Sequence, residues 1–275
     1  MGDAQRRRRR LIDEHPWCCF CGGSTPASSV DHVPPRTCFK GRAGPEGFEF
    51  PACSHCQTAS RLDEMAVAFY VQALDSNPDN FDEAAVNKAI TGIANNLPHL
   101  LPNPYLSGAR KRAFYRELGL AKPTNRLARE LPVIQIHPDL HDRINRYARK
   151  LACALFYREQ KRIASPDHHV MAHWGQAADP RFREMAQAWM DMTPMIDVGK
   201  RTNLDFGDRF AYRYNRCSDP DVFASFVGFG LGIHLLVLVA DEETTAKIQE
   251  GATPEQQTFS PPWVKVKDNY LQRAQ

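Results

Sequence analysis

Two Cys-x2-Cys pairs, Cys18/Cys21 and Cys53/Cys56, stand 31 residues apart near the start of this 275-residue chain. Four thiolates in two close pairs suit one tetrahedral zinc ion, because each pair fits a tight turn that aims both sulfurs at the same centre. The alternative, four buried free thiols, sits poorly with polar neighbours such as Gly22, Gly23, Ser54, His55 and Gln57. Cys19 could replace Cys18 only through a tighter Cys-x-Cys loop, so it reads as a bystander. Cys38 has no partner at close spacing, and His55 is expected to face solvent. A site closed by four sulfurs leaves no open coordination position, so the zinc is expected to be structural.

Six of the eight cysteines fall between Cys18 and Cys56. The basic run Arg6 to Arg10 is followed by Leu11-Ile12-Asp13-Glu14-His15, which lacks the apolar stretch of a signal peptide. The expected compartment is therefore the reducing cytoplasm. Val222 to Ala240 carries no Asp, Glu, Lys or Arg, a length that would span a bilayer as a helix. Alternating Gly228, Gly230 and Gly232 and the run Leu235-Leu-Val-Leu-Val239 instead predict two buried strands or one long bent one, and no membrane partner.

Periodicity divides the rest. Residues 1–16 read as a mobile basic arm, and residues 17–75 as a zinc domain of knuckle, short strands, knuckle and helix. Thr58 to Ala73 places Leu62, Met65, Ala66, Phe69 and Ala73 at helical spacing. Residues 76–130 form a helical connector, with helices predicted over 82–96 and 107–120. Residues 131–275 form an α+β C-terminal domain of unassigned role. There a short strand is expected over 131–136, a long helix over 138–158 and another over 179–191. Aromatic strand residues Phe206, Phe210, Tyr212 and Tyr214 follow, then the apolar strands and a last strand near Trp263 to Val266. His168-His169-x3-His173 reads as an exposed loop or helix start. The fold class expected is α+β: a small zinc module followed by a mixed helical and antiparallel-strand region.

Chemistry must come from elsewhere if zinc only holds the fold, and the candidates are Asp31 and His32. Asp31-His32-Val33-Pro34-Pro35 lies between the two knuckles and puts a hard metal ligand beside a proton acceptor. Cys-x2-Cys, then Asp-His-Val-Pro-Pro, then Cys-x2-Cys opening a helix resembles the HNH endonucleases of the four-cysteine ββα-metal kind, such as the phage recombination endonuclease VII type. The motif covers about residues 17–65. That resemblance implies a treble-clef-like ββα module and hydrolysis of DNA phosphodiester bonds. It makes His32 the general base and Asp31 the ligand of a catalytic Mg²⁺ or Mn²⁺. The family's second cation ligand, commonly Asn or His directly after the last zinc cysteine, falls on Gln57. No counterpart of the middle Asn is evident in Gly47-Phe48-Glu49-Phe50-Pro51, and Asp63 or Glu64 remain alternative carboxylates.

The net charge of +3 favours no partner, but its distribution does: Tyr105 to Ile163 holds 14 Lys/Arg against 5 Asp/Glu. Arg36, Lys40, Arg42 and Arg61 surround the proposed site in sequence and are the candidate phosphate contacts, with DNA as the expected partner. Arg110 to Arg116 and Arg143, Arg146 and Lys150 are further basic clusters. The rival expectation is a zinc-stabilised nucleic-acid-binding protein that has lost cleavage.

Overall fold

The computed structural model describes residues 3–74, 82–101, 107–117, 137–176, 179–192, 195–197, 209–215, 221–230, 232–251 and 262–270. After helix α1 (Asp3–Glu14), strands β1 (Ser29–His32) and β2 (Glu49–Ala52) pair antiparallel, and helix α2 (Ser54–Ala73) follows directly. The residues 1–16 expected to be a mobile arm thus contain a helix, which lies against β1 and β2. Its Arg10 and Glu14 pair one turn apart, the spacing at which opposite charges support an exposed helix. The start of α2 is set by Cys53, whose Sγ accepts a hydrogen bond from the Cys56 backbone N–H at 3.4 Å and so caps the first turn.

Helices α3 (Glu83–Asn96) and α4 (Gly108–Glu117) follow, near the predicted bounds. Asp82 caps α3 by accepting from Ala85 N–H at 3.0 Å. Helix α5 (Pro138–Gln160) is the central element. Pro138 occupies its first turn, His137 Nδ1 accepts from Asp139 N–H, and Lys161 closes it in the left-handed region. Leu140, Ile144, Tyr147, Leu151 and Leu155 are all fully buried, as the apolar stripe predicts.

A six-stranded sheet in the order β4-β5-β6-β7-β3-β8 packs on α5: β3 (His169–Gly175), β4 (Met195–Asp197), β5 (Ala211–Asn215), β6 (Phe223–Phe229), β7 (Ile233–Ala240) and β8 (Val264–Lys265). Every pairing in it is antiparallel. The long apolar stretch is therefore two strands, with Phe223 opposite Val239 and Phe229 opposite Ile233. Among the described residues no helix is long and apolar enough to cross a membrane. Helix α6 (Pro180–Met192) covers the other face of the sheet through Phe182 and Ala186 on Leu236, and α7 (Glu242–Gly251) follows β7. His169 to His173, expected in a loop or helix start, are strand residues, and His168 is buried. The strand expected over 131–136 and the position of Phe206 lie outside the described residues.

One buried cluster runs from Cys18 through Phe50, Ala66 and Tyr147 to Val237 and Val266. Helix α5 therefore has two buried sides, one on the sheet and one on α2. This corrects the expectation that Arg143, Arg146 and Lys150 form a basic cluster available to nucleic acid. Arg143 and Lys150 are buried, and all three point at acids of the first 75 residues.

Candidate metal centre and the buried ionic cluster beside it

The first cysteine pair lies on a turn that only glycine can complete. Gly22 and Gly23 have φ of +66° and +76°, and a Cβ on Gly22 would meet the Pro166 backbone at 2.5 Å. The second pair lies on the first turn of α2. Hairpin pairing of Ser29 with Ala52 brings the turns together, and Cys19 N–H donates to Pro51 O at 3.1 Å. As a result the Sγ atoms of Cys18, Cys21, Cys53 and Cys56 all lie within 4.8 Å of one another, and all four residues are buried. A tetrahedral ion with metal–sulfur bonds of about 2.3 Å needs sulfurs about 3.8 Å apart, so the four can hold a metal ion such as zinc. Four thiols this close cannot all ionise without a cation among them. Hydrogen bonding with Cys21 pushes the Cys18 thiol up, while hydrogen bonds from Cys18 and Cys56 pull the Cys21 thiol down. Cys19 and Cys38 are buried outside the cluster, and His55 is exposed, as expected.

Asp31 and His32 are consecutive strand residues, so their side chains leave the hairpin on opposite faces. Asp31 faces inward. Its Oδ2 accepts from Lys150 Nζ at 2.5 Å and its Oδ1 accepts from the His32 backbone N–H at 2.9 Å. Lys150 Nζ also donates to Ser60 Oγ at 2.7 Å and to Glu64 Oε1, and Ser60 Oγ donates to Glu64 Oε1 at 2.9 Å. Ser60 and Glu64 stand one turn apart on α2. Lys150 has no exposed surface, and its ammonium lies 4.6 Å from the Phe20 ring inside the first knuckle. Burial works against its charge, yet Glu64 and Asp31 outweigh burial and lift its pKa above the usual lysine value. Burial raises the Glu64 carboxyl, with Lys150 pulling the other way.

Beside this cluster lies a second one. Asp63 Oδ1 accepts from Arg143 Nη1 at 3.0 Å, and its Oδ2 accepts from Arg146 Nε at 2.9 Å. Arg143 Nε also donates to Asp139. Sequence reasoning missed Lys150, Arg143 and Arg146 as internal groups. The signal was present, since three acids, Asp31, Asp63 and Glu64, stand near the knuckles and three cations recur at helical spacing on α5.

His32 faces outward. Its Nε2 lies 3.7 Å from Glu49 Oε1, its register partner on β2, and its side chain is 27% exposed. Burial lowers its pKa, with Glu49 opposing and Arg36 adding to the lowering, so the imidazole is neutral at pH 7. Arg36, Lys40 and Arg42 are exposed on the loop that follows β1, where Arg36 Nε donates to Arg42 O at 3.0 Å. Arg61 is exposed on α2.

No family model matches this chain, and no curated protein or solved structure does either.

The residues expected to share a catalytic Mg²⁺ or Mn²⁺ do not fit that ion as placed. Both Asp31 oxygens are engaged, one by an ammonium, and Gln57 Oε1 accepts from Ser29 Oγ at 2.9 Å. A dication held at the same oxygen would sit within a few ångströms of a positive charge that cannot leave for solvent. The structure brings together Asp31, Ser60, Glu64 and Lys150. It does not bring His32 into that group.

Proposed function

We propose that this chain is a zinc-stabilised protein of the HNH kind that binds nucleic acid, DNA first, without cation-dependent cleavage. The observation that carries this reading is the Lys150–Asp31 contact at 2.5 Å, which sets a fixed positive charge on the acid that would hold the catalytic cation. Cys18, Cys21, Cys53 and Cys56 hold a structural zinc in this reading, and the hairpin and α2 form the ββα unit around it. Arg36, Lys40, Arg42 and Arg61 supply exposed charge for phosphate contacts, so affinity falls steeply with salt.

A second reading has its own support. His32 is partly exposed, neutral at pH 7 and next to exposed basic residues, which suits a general base for phosphodiester hydrolysis. One experiment separates the two. Supercoiled plasmid is incubated with the zinc-loaded protein and Mg²⁺ or Mn²⁺, with His32→Ala as control, and both retardation and nicking are scored. Retardation by both proteins with the plasmid left supercoiled is the expected result. Nicking by the wild type that His32→Ala abolishes overturns the binding-only reading and establishes the hydrolytic one. A plasmid neither retarded nor nicked removes both.

A further inference from the structure

Carboxylate and hydroxyl oxygens that converge on one buried point hold an ammonium or a hard divalent cation by the same donors. Such a point exists between β1, α2 and α5. Asp31 Oδ2 and Ser60 Oγ lie 2.5 and 2.7 Å from Lys150 Nζ, and Glu64 Oε1 also contacts it. Hard cations take oxygens at about 2.0 to 2.6 Å, so only a small contraction separates this nitrogen's surroundings from a coordination shell. Charge points the same way. Two acids face one ammonium, so with both ionised their charge is only half offset, and a dication in place of the ammonium would cancel it. A second carboxylate and a hydroxyl share the same nitrogen with Asp31.

We propose that Lys150 is a tethered cation filling a divalent-cation seat, and that removing its ammonium turns Asp31, Ser60 and Glu64 into a working site for an ion such as Mn²⁺. The side chain reaches the seat from α5, whose Leu151, Ala154 and Leu155 are fully buried in the core. Shortening residue 150 to alanine vacates the nitrogen position and the stem behind it, leaving room for the ion and its waters while the three oxygen donors stay on β1 and α2. The inference deepens the non-hydrolytic reading of Asp31. It concerns cation occupancy alone and holds whether or not the chain binds nucleic acid.

The test is Mn²⁺ titration of the zinc-loaded full chain, followed by the electron paramagnetic resonance of free Mn²⁺. Wild type, Lys150→Ala, Asp31→Asn and the double variant Lys150→Ala/Asp31→Asn are compared. Lys150→Ala is expected to take up one Mn²⁺ per chain, at least about a hundredfold tighter than wild type, because a charge repelling the ion at close range is gone. The double variant is expected to lose that uptake. If Lys150→Ala does not fold without metal, Mn²⁺ is expected to restore its folded circular dichroism spectrum. Wild-type uptake of one Mn²⁺ that Asp31→Asn removes overturns the proposal. So does a folded Lys150→Ala that binds no tighter than wild type, or an unfolded one that Mn²⁺ does not rescue.

Discussion

Replacing Cys56 with alanine is expected to abolish zinc binding and to unfold the hairpin and the start of α2. Structural zinc contributes about 10–16 kcal/mol of apparent binding energy in isolated zinc-finger peptides at neutral pH, and that energy is folding energy wherever the site exists only in the folded chain. Here β1 and β2 have four residues each, so the two-stranded hairpin is too small to stand alone. The damage should spread. Phe20 and Phe50 belong to the same buried cluster as Tyr147 and Phe156 of α5, so losing the knuckles strips one side of the central helix. Metal analysis of protein purified under reducing conditions should give one zinc per chain for the wild type and for Cys19→Ala, and none for Cys56→Ala. Chelation of the wild type should lower its melting temperature to that of the variant. Equal melting temperatures with and without chelator would remove zinc from the account.

Asp63→Ala should be the most damaging substitution away from the sulfurs. The Asp63 side chain is 1% exposed and is shared by Arg143 and Arg146, so its removal leaves two guanidinium groups in or near the core with one acid, Asp139, still on Arg143. Breaking a buried pair by deleting one partner costs about 3–5 kcal/mol, most of it the penalty for an uncompensated buried charge. The control is Glu243→Ala in the Lys247–Glu243 pair, where the side chains are 69% and 78% exposed. Solvent-exposed pairs of this spacing contribute about 0.5 kcal/mol or less. Urea unfolding of both variants should separate them by several-fold in lost stability. A loss for Asp63→Ala no larger than the control's would show that the α2–α5 contact does not depend on the pair.

Spacing made the four sulfurs legible, because metal coordination is a local constraint that two short motifs can state completely. The same holds for α5, where Leu140, Ile144, Tyr147, Leu151 and Leu155 announce one buried face. The other face of that helix was not legible. Arg143, Arg146 and Lys150 read as a basic cluster for nucleic-acid contact, and the acids they meet on β1 and α2 lie 80 or more positions away, a pairing that no local period encodes. The strand pair β6 and β7 was visible as apolar sequence, but its register was not. Seven of the eight β7 residues are buried, so the alternation that normally tells one sheet face from the other is missing. Helix α1 was read as a mobile arm on charge alone, a reading that ignores how Arg10 and Glu14 pair at helical spacing.

The site shows the same limit more sharply. Asp31 and His32 stand next to each other in sequence and suggest one shared centre. In an extended strand that adjacency separates them, one carboxylate turned to α2 and α5, one imidazole turned to Glu49. What fills the space beside Asp31 is decided by a residue 119 positions later, Lys150.

Anomalous diffraction from zinc-loaded crystals soaked in Mn²⁺ tests the arrangement most directly, with data collected at wavelengths that separate the two metals. The expected maps show a zinc peak among Cys18, Cys21, Cys53 and Cys56, Lys150 Nζ in contact with Asp31 Oδ2, and no manganese beside Asp31. A manganese peak between Asp31 and Gln57, with the lysine displaced, would contradict it.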